Sequence, residues 1–213
     1  IDRNLERLTS EVEVVKKKPE VDWISFSKFG AAPETELRKR AIDPDQARSH
    51  GIRWDTERAA WIIPIVNQFG DLQGWQTKAK DWVRNFPVGV KKSESLFGIE
   101  RFKGGTAILV ESPLDVVRFA SVFDKPQALA TFGAAVSSKQ IGLLASVADK
   151  VIIAMDNDDA GKQSSKKFFK SLPYFRKGVW WWDYSGTTAK DIGDMTNNEI
   201  ELGLINSTQM PNW

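Results

Sequence analysis

Residues 151–161 read Val-Ile-Ile-Ala-Met-Asp-Asn-Asp-Asp-Ala-Gly and join a short apolar run to a cluster of acids. A continuous apolar run that is rich in β-branched residues and ends at a turn is typical of a strand buried inside a parallel sheet. Asp156 and Asp158 follow this run at the carboxyl end, where open α/β sheets bind ligands. Alternate carboxylates can face one hard cation, although aspartates are also common in turns that bind nothing. The stretch therefore predicts either a metal site or a charged turn.

The composition indicates a globular protein without disulfides. The chain has 213 residues, 41% of them hydrophobic, which is enough for one α/β core and a smaller unit. It has no Cys and a single His, His50, which argues against a zinc site of the usual Cys/His kind. No apolar run approaches the roughly 20 residues of a membrane helix, so we expect no membrane partner and a cytoplasmic location.

From residue 105 to residue 205, apolar runs alternate with helical patterns. Two capping boxes, Ser137-Ser-Lys-Gln140 and Thr196-Asn-Asn-Glu199, open two of the predicted helices. This alternation predicts a four-stranded parallel sheet flanked by helices, with right-handed crossovers. The four strands are expected at residues 106–110, 127–131, 151–155 and 178–182.

The first half of the chain predicts a smaller α+β unit with an excess of basic residues. Residues 59–66 and 72–78 read as two strands around a turn, an antiparallel hairpin in which Pro64 favours a sheet edge or a bulge. Between residues 78 and 103, cations alternate with aromatic residues. This pattern fits a surface for single-stranded nucleic acid, and it fits a solvated loop equally well.

Two short helices are expected before this hairpin, at residues 34–40 and 44–50. His50 is expected to cap or pack at the end of the second helix and not to bind a ligand. The chain is accordingly divided into an N-terminal segment with a linker, a basic subdomain, a parallel-sheet domain and a C-terminal tail that we expect to fray. These units comprise residues 1–36, 37–104, 105–205 and 206–213.

Acids follow three of the four predicted parallel strands. Glu111 follows the first strand, with Asp115 four residues later, and Asp156 and Asp158 follow the third. Asp191 comes after the fourth strand. Because the carboxyl ends of parallel strands share one edge, we expect these acids to meet there. Crowded carboxylates repel each other unless a cation neutralises them, and oxygen ligands favour Mg²⁺ or Mn²⁺ over Zn²⁺.

Taken together, these motifs resemble the Toprim fold, and in particular the catalytic core of bacterial and phage primases and primase-helicases. Three acid boxes carry the resemblance: Glu111-Ser-Pro-Leu-Asp115, Asp156-Asn-Asp-Asp-Ala-Gly161 and Lys190-Asp191-Ile-Gly-Asp194. Upstream, residues 61–78 and 92–98 are similar to the basic subdomain of bacterial-type primases. The resemblance covers about residues 37–200, and Ser112 stands where the family usually has glycine.

The resemblance implies a DNA primase core, a DNA-directed RNA polymerase and nucleotidyltransferase of DNA replication. Such a core makes RNA primers from NTPs on a single-stranded DNA template. Glu111, Asp156 and Asp158 would be catalytic and would bind Mg²⁺ or Mn²⁺, with Asp191 and Asp115 as outer or second-metal ligands. Gly161 would be the glycine of the second acid box. The residues expected to bind nucleotide or DNA are Lys78, Lys80, Arg84, Lys91, Lys92 and Lys190.

The sequence contains neither the zinc ribbon with which such primases read their template nor a Gly-x-x-x-x-Gly-Lys phosphate loop. We therefore expect a core that works with a replicative helicase and a separate zinc-binding template-recognition protein or domain, in a phage-infected or bacterial cell. Two alternatives remain open. One is a Toprim nuclease with the same metal site, and the other is a non-catalytic module that binds single-stranded DNA or a helicase.

Overall fold

The computed structural model describes residues 21–125, 127–170, 175 and 178–209. The predictions for residues 1–20, and for the end of the C-terminal tail at 210–213, lie outside these residues. Within them, the chain forms a four-stranded antiparallel sheet followed by a five-stranded, mostly parallel sheet. No helix in this part of the chain has the length and apolar character needed to cross a membrane.

The antiparallel unit confirms the predicted hairpin and extends it. Its strands pair in sequence order, each antiparallel to the next. The short flanking strands β1 and β4 lack a clear alternation of apolar and polar residues and were not predicted. The elements are α1 (Trp23–Ser27), α2 (Glu34–Lys39), α3 (Pro44–Ser49), β1 (Arg53–Asp55), β2 (Ala60–Val66), β3 (Leu72–Lys78) and β4 (Val83–Phe86).

Pro64 lies in an interior strand, so the prediction of a sheet edge is wrong for β2 as a whole. The pairing of β1 with β2 covers only residues 60–62, however, so Pro64 lies beyond the end of β1. Its missing N–H therefore leaves no carbonyl group of β1 without a hydrogen-bond donor. The predicted bulge is confirmed, because the register with β3 shifts between Ile65 and Val66.

The parallel unit confirms the four predicted strands and both capping boxes. The strand order is β6-β5-β7-β8-β9, and the first four strands are parallel. β9 is antiparallel to β8, so the prediction of a frayed tail is wrong for residues 208–209. The elements are β5 (Thr106–Val110), α4 (Pro113–Phe123), β6 (Ala128–Ala130), α5 (Ser138–Val147), β7 (Lys150–Ile153), α6 (Asp159–Lys170), β8 (Val179–Trp181), α7 (Asn197–Ile205) and β9 (Thr208–Gln209).

The central strands β5 and β7 are apolar after their first residue because helices cover both faces of the parallel sheet. Ile108 and Ile152 belong to one buried cluster with Phe119 of α4. Leu109 belongs to a second buried cluster with Leu144 of α5. The first cluster also includes tryptophans and isoleucines of β1 and β2. One continuous core therefore joins the two units and fixes the orientation of the antiparallel sheet relative to the edge that carries the acids.

Both outer strands of the four-stranded parallel part of this sheet have a further pairing partner. On one side, β9 pairs with Trp180 and Trp181 of β8. On the other side, Phe97 and Ala130 of β6 form an antiparallel bridge, with N–H···O distances of 2.9 and 3.1 Å. The segment between the two units thus closes the β6 edge.

Candidate metal centre at the edge of the parallel sheet

Three acids from separate strand ends meet at the carboxyl edge of the parallel sheet. One carboxylate oxygen from each of Asp115, Asp156 and Asp191 lies within 4.8 Å of the other two. Oxygens bound to one Mg²⁺ at about 2.1 Å lie no more than about 4.2 Å apart, so small side-chain rotations would let all three bind a single ion. The acids meet because the topology brings the ends of β5, β7 and β8 to one edge.

Burial of these acids supports a cation at this position. Asp115, in the first turn of α4, is only 2% exposed. Its pKa is raised well above the usual value by burial and then by the charge of Asp191. Burial and the neighbouring Asp194 also raise the pKa of Asp191. Buried carboxylates of this kind need either protons or a cation to compensate them, and an all-oxygen donor set suits Mg²⁺ or Mn²⁺.

The loop that carries Asp191 approaches the site at a glycine. A Cβ atom on Gly193 would lie 2.8 Å from Asp115 Oδ1 and 3.0 Å from Asp191 Oδ1. Any larger residue would push the two carboxylates away from their present positions. Asp191 also accepts a hydrogen bond from the backbone N–H of Asp194 at 3.0 Å, which closes the loop on itself.

Glu111 adjoins this group without belonging to it. Its Oε1 accepts a hydrogen bond from the backbone N–H of Asp156 at 3.3 Å. Burial, followed by the charge of Asp156, raises the pKa of Glu111 to about 7. The structure therefore brings Glu111 and Asp156 together as the sequence predicted, but it places Glu111 beside the three-acid group.

Asp158 makes a contact that the acid box alone did not predict. Helix α6 begins at Asp159, and Asp158 Oδ1 accepts a hydrogen bond from the N–H of Gly161 at 2.9 Å. This bond caps the helix and lowers the pKa of Asp158. Of the three acids expected to be catalytic, only Asp156 lies in the three-acid group. A Cβ atom on Gly161 would lie 2.0 Å from the carbonyl oxygen of Asp156, which explains the glycine of this box.

Two of the six basic residues that are predicted to bind nucleotide or DNA lie next to the acids. Lys190 Nζ is 3.3 Å from Asp156 Oδ2 and 3.7 Å from Asp158 Oδ2. Lys78, at the end of β3, donates a hydrogen bond to Ser112 Oγ at 3.4 Å. Burial lowers the pKa of Lys78, and the negative charge of nearby Asp115 partly offsets that effect. The hydroxyl at Ser112, where the resemblance predicts glycine, thus contacts a cation from the antiparallel unit.

The other four predicted cations make contacts elsewhere. Lys92 donates to the carbonyl oxygen of Phe132, just beyond β6, at 2.6 Å. Lys91 pairs with Glu94 at 3.4 Å. The guanidinium of Arg84 lies 5.3 Å from the ring centre of Trp82. Lys80 lines a groove of about 440 Å³ between the two units, together with Arg40, Trp61, Lys78, Gly193 and Asp194.

Comparison with known proteins identifies the unit that holds the acids. A family described as Toprim-like matches residues 108–195. These residues form a Toprim-like domain. The chain is 26% identical over 143 residues to the DNA primase of Enterobacteria phage T4, covering 65% of this chain and 38% of that protein. It is 38% identical over 117 residues to the DNA primase of Aquifex aeolicus, covering 49% of this chain and 23% of that protein. It thus spans less than half the length of these two relatives.

A solved structure extends the likeness beyond the Toprim domain. The structure of the DnaG primase catalytic domain bound to single-stranded DNA superposes with a TM-score of 0.70 at 16% identity, covering 87% of this chain and 77% of that one. The predicted fold class is therefore confirmed: a Toprim domain preceded by a smaller α+β unit, as in primase cores.

Two residues near the acids of the Toprim domain were not found from the sequence. Arg40, which follows α2, lies over Trp61 at 6.0 Å in the groove, and its charge offsets a small part of the rise that burial causes in the pKa of Asp115. The hydroxyl of Tyr184 donates to the carbonyl oxygen of Met155 at 3.0 Å, directly before Asp156. No motif spacing connects either residue to the acids, because both reach them through packing of distant segments.

Proposed function

We propose that this chain is the catalytic core of a DNA primase. In this proposal it makes RNA primers from NTPs on single-stranded DNA, with Mg²⁺ or Mn²⁺ as the cofactor. The observation that carries the proposal is the meeting of Asp115, Asp156 and Asp191 at one sheet edge, opposite Lys78 of the antiparallel unit. The similarity to two DNA primases and to the fold of a primase catalytic domain supports the same activity.

In the proposed reaction the 3′ hydroxyl of the growing primer attacks the α-phosphate of an NTP, and pyrophosphate leaves. Asp115, Asp156 and Asp191 would hold the divalent cation, and the carboxylates of Glu111 and Asp158 would lie around it. Such an ion, when bound, neutralises charge on the phosphates and favours ionisation of the attacking hydroxyl. Lys78 and Lys190 supply fixed positive charge beside the acids. Catalysis would then depend on positioning and charge compensation.

The groove between the two units is the proposed path for nucleotide and template. Arg40, Lys78 and Lys80 line it, beside the acid loop of the Toprim domain. Arg84 lies on β4, and Lys91 and Lys92 lie on the segment that follows it. We propose that these three residues contact DNA or the triphosphate. We also propose that a helicase and a zinc-binding template-recognition protein or domain act with this core in the cell.

Primer synthesis is the direct test of this proposal. The purified chain is incubated with single-stranded DNA, labelled NTPs and Mn²⁺, and RNA products are separated on a denaturing gel. Asp156→Asn is expected to reduce synthesis by more than about 100-fold, because it removes the central ligand of the metal group. Asp159→Asn is the matched control, since Asp159 is an exposed aspartate in the same segment, and it is expected to retain parental activity.

The same reagents separate the alternatives. Cleavage of labelled DNA with Mg²⁺ and no NTPs would support the Toprim nuclease. DNA binding that is unaffected by a chelator, without any RNA product, would support the non-catalytic module. If Asp156→Asn made primers as fast as the parent chain, the assignment of the metal site would be wrong.

A further inference from the structure

Arg118 is a buried cation that binds three oxygens from two distant segments. It lies on α4 and is only 2% exposed. Its guanidinium donates to the carbonyl oxygen of Met195 at 2.9 Å, to Asn197 Oδ1 at 2.6 Å and to the carbonyl oxygen of Ala41 at 3.3 Å. Among the residues that the structure describes, none of its partners is a carboxylate. A buried charge without a counter-ion is costly, so this one calls for an explanation.

Two of the three acceptors directly follow residues that line the groove. Met195 directly follows the short 3-10 helix Ile192–Asp194, which belongs to the loop of Asp191. Ala41 directly follows Arg40, which lines the opposite wall. Arg118 therefore ties the acid loop to the segment that carries Arg40, across the boundary between the two units.

Helix α4 holds the acid loop at two points. Asp115 lies one turn before Arg118 on the same helix and touches the loop at Gly193, where an added Cβ would lie 2.8 Å from its Oδ1. Arg118 holds the far end of the loop at Met195. Because a helix is rigid over one turn, these two contacts fix the position of Asp191 relative to Asp115.

We propose that Arg118 is a positioning residue for the metal group, which sets the separation of Asp191 from Asp115 through the acid loop. The inference rests on the metal site of the proposed function. Residues that orient metal ligands through hydrogen bonds typically change metal affinity by about 10- to 100-fold when they are replaced. Arg118 acts here through two backbone carbonyls and the side chain of Asn197, and it is not one of the residues proposed to hold the ion.

Direct Mn²⁺ binding tests this role without using primer synthesis. The free-Mn²⁺ electron paramagnetic resonance signal is titrated with the whole chain, and unfolding by urea is measured in parallel. Arg118→Met is expected to weaken Mn²⁺ binding by about tenfold. Asn197→Ala removes one acceptor at an exposed position and is expected to weaken binding in the same direction, by about threefold. This second variant keeps the test valid if Arg118→Met does not fold.

Arg101→Met is the matched control. Arg101 also reaches across the chain to a backbone carbonyl, that of Ser49 at 2.7 Å, and like Arg118 it has a buried Nε without a partner. It lies outside the acid loop, so Mn²⁺ affinity is expected to stay within about twofold of the parent value. Parental Mn²⁺ affinity in folded Arg118→Met and Asn197→Ala would overturn the positioning role alone. Absence of specific Mn²⁺ binding in the parent chain would overturn the proposed metal site, and this inference with it.

Discussion

The two sheets of this protein place charged side chains near the same groove in different ways. In the parallel sheet, acids that lie far apart in sequence come together because the strands end at one edge. In the antiparallel sheet, successive strands end at opposite edges, and side chains alternate between the faces of each strand. Five basic residues of that unit are predicted to bind nucleotide or DNA, and of these only Lys78 lies next to the acids. Arg84 and Lys91, by contrast, contact neighbours in their own segment. Parallel topology thus concentrates functional groups, and antiparallel topology disperses them.

Because of this difference, replacing a close-packed glycine is expected to affect metal binding in one sheet and not in the other. This is the largest effect that we expect. In the Toprim domain, the Cβ of Gly161→Ala would lie 2.0 Å from the carbonyl oxygen of Asp156. In the antiparallel sheet, the Cβ of Gly74→Ala would lie 2.1 Å from that of Phe86. Each change is expected to cost about 3 kcal/mol of unfolding free energy, as measured by urea denaturation.

Only Gly161→Ala is expected to abolish Mn²⁺ binding by the folded protein, because it displaces the backbone of Asp156. Gly186→Ala is the control, since nothing lies within 4 Å of the position of its Cβ. Equal loss of Mn²⁺ binding in Gly74→Ala and Gly161→Ala would show that the two sheets do not contribute separately to the site.

The next largest effect concerns Lys78, a cation of the antiparallel unit that lies beside the acids of the parallel unit. Lys78→Met is expected to slow primer synthesis by about 100-fold, because it removes a fixed positive charge beside the acids. Its Mn²⁺ affinity is expected to be equal to or higher than that of the parent chain, since the lost cation repels a metal ion near Asp115. Synthesis is measured with labelled NTPs, and Mn²⁺ binding by paramagnetic resonance.

Lys125→Met replaces an exposed lysine and serves as the control, with parental behaviour expected in both assays. Weaker Mn²⁺ binding together with normal synthesis in Lys78→Met would contradict a role for Lys78 in charge compensation. It would indicate instead that β3 only supports the acids mechanically.

The smallest effect concerns the response of the two units to acid. His50 caps α3 and stacks on Phe97, and burial lowers its pKa to about 4. Between pH 6.5 and 4 the unfolded chain therefore binds a proton that the folded chain does not, and stability falls as the pH falls. Glu111, whose pKa is raised, has the opposite effect, because its contribution to stability is present at low pH and is lost as the pH rises towards 7.

His50→Gln isolates the first of these contributions. Between pH 7.0 and pH 5.5, the parent chain is expected to lose about 1 kcal/mol more unfolding free energy than the variant. Urea denaturation of the metal-free proteins at both pH values measures the difference. An identical pH dependence in parent and variant would show that His50 is not buried as a neutral side chain.

The fold and the meeting of the acids could be predicted from the sequence, whereas the contacts of the individual acids could not. Strand ends follow from apolar runs, and parallel topology brings those ends together, so Glu111, Asp156 and Asp191 could be expected at one edge. The direction of a carboxylate depends on the turn that holds it. Asp158 caps α6, whereas Asp115, expected to be an outer ligand, points into the three-acid group.

Contacts between the two units could not be predicted from local patterns. Arg40 and Arg118 reach the site only because α2, α4 and the acid loop pack together. The hydrogen bond that Lys78 donates to Ser112 depends on the same packing. β9 was missed because two exposed residues carry no periodic signal, and its pairing with β8 depends on the tertiary fold.

The pairing of both outer parallel strands, β6 and β8, with a further segment has a consequence for self-association. A bare margin exposes a row of backbone donors and acceptors onto which a second copy of a protein can add a strand. Here the bridge at Phe97 pairs with β6, and the short β9 pairs with β8 and is itself the last strand on that side. Shortening the chain before Thr208 would uncover Trp180 and Trp181 and provide a template for lateral aggregation. A two-residue strand thus covers Trp180 and Trp181 and leaves only a short margin with which a second copy could pair.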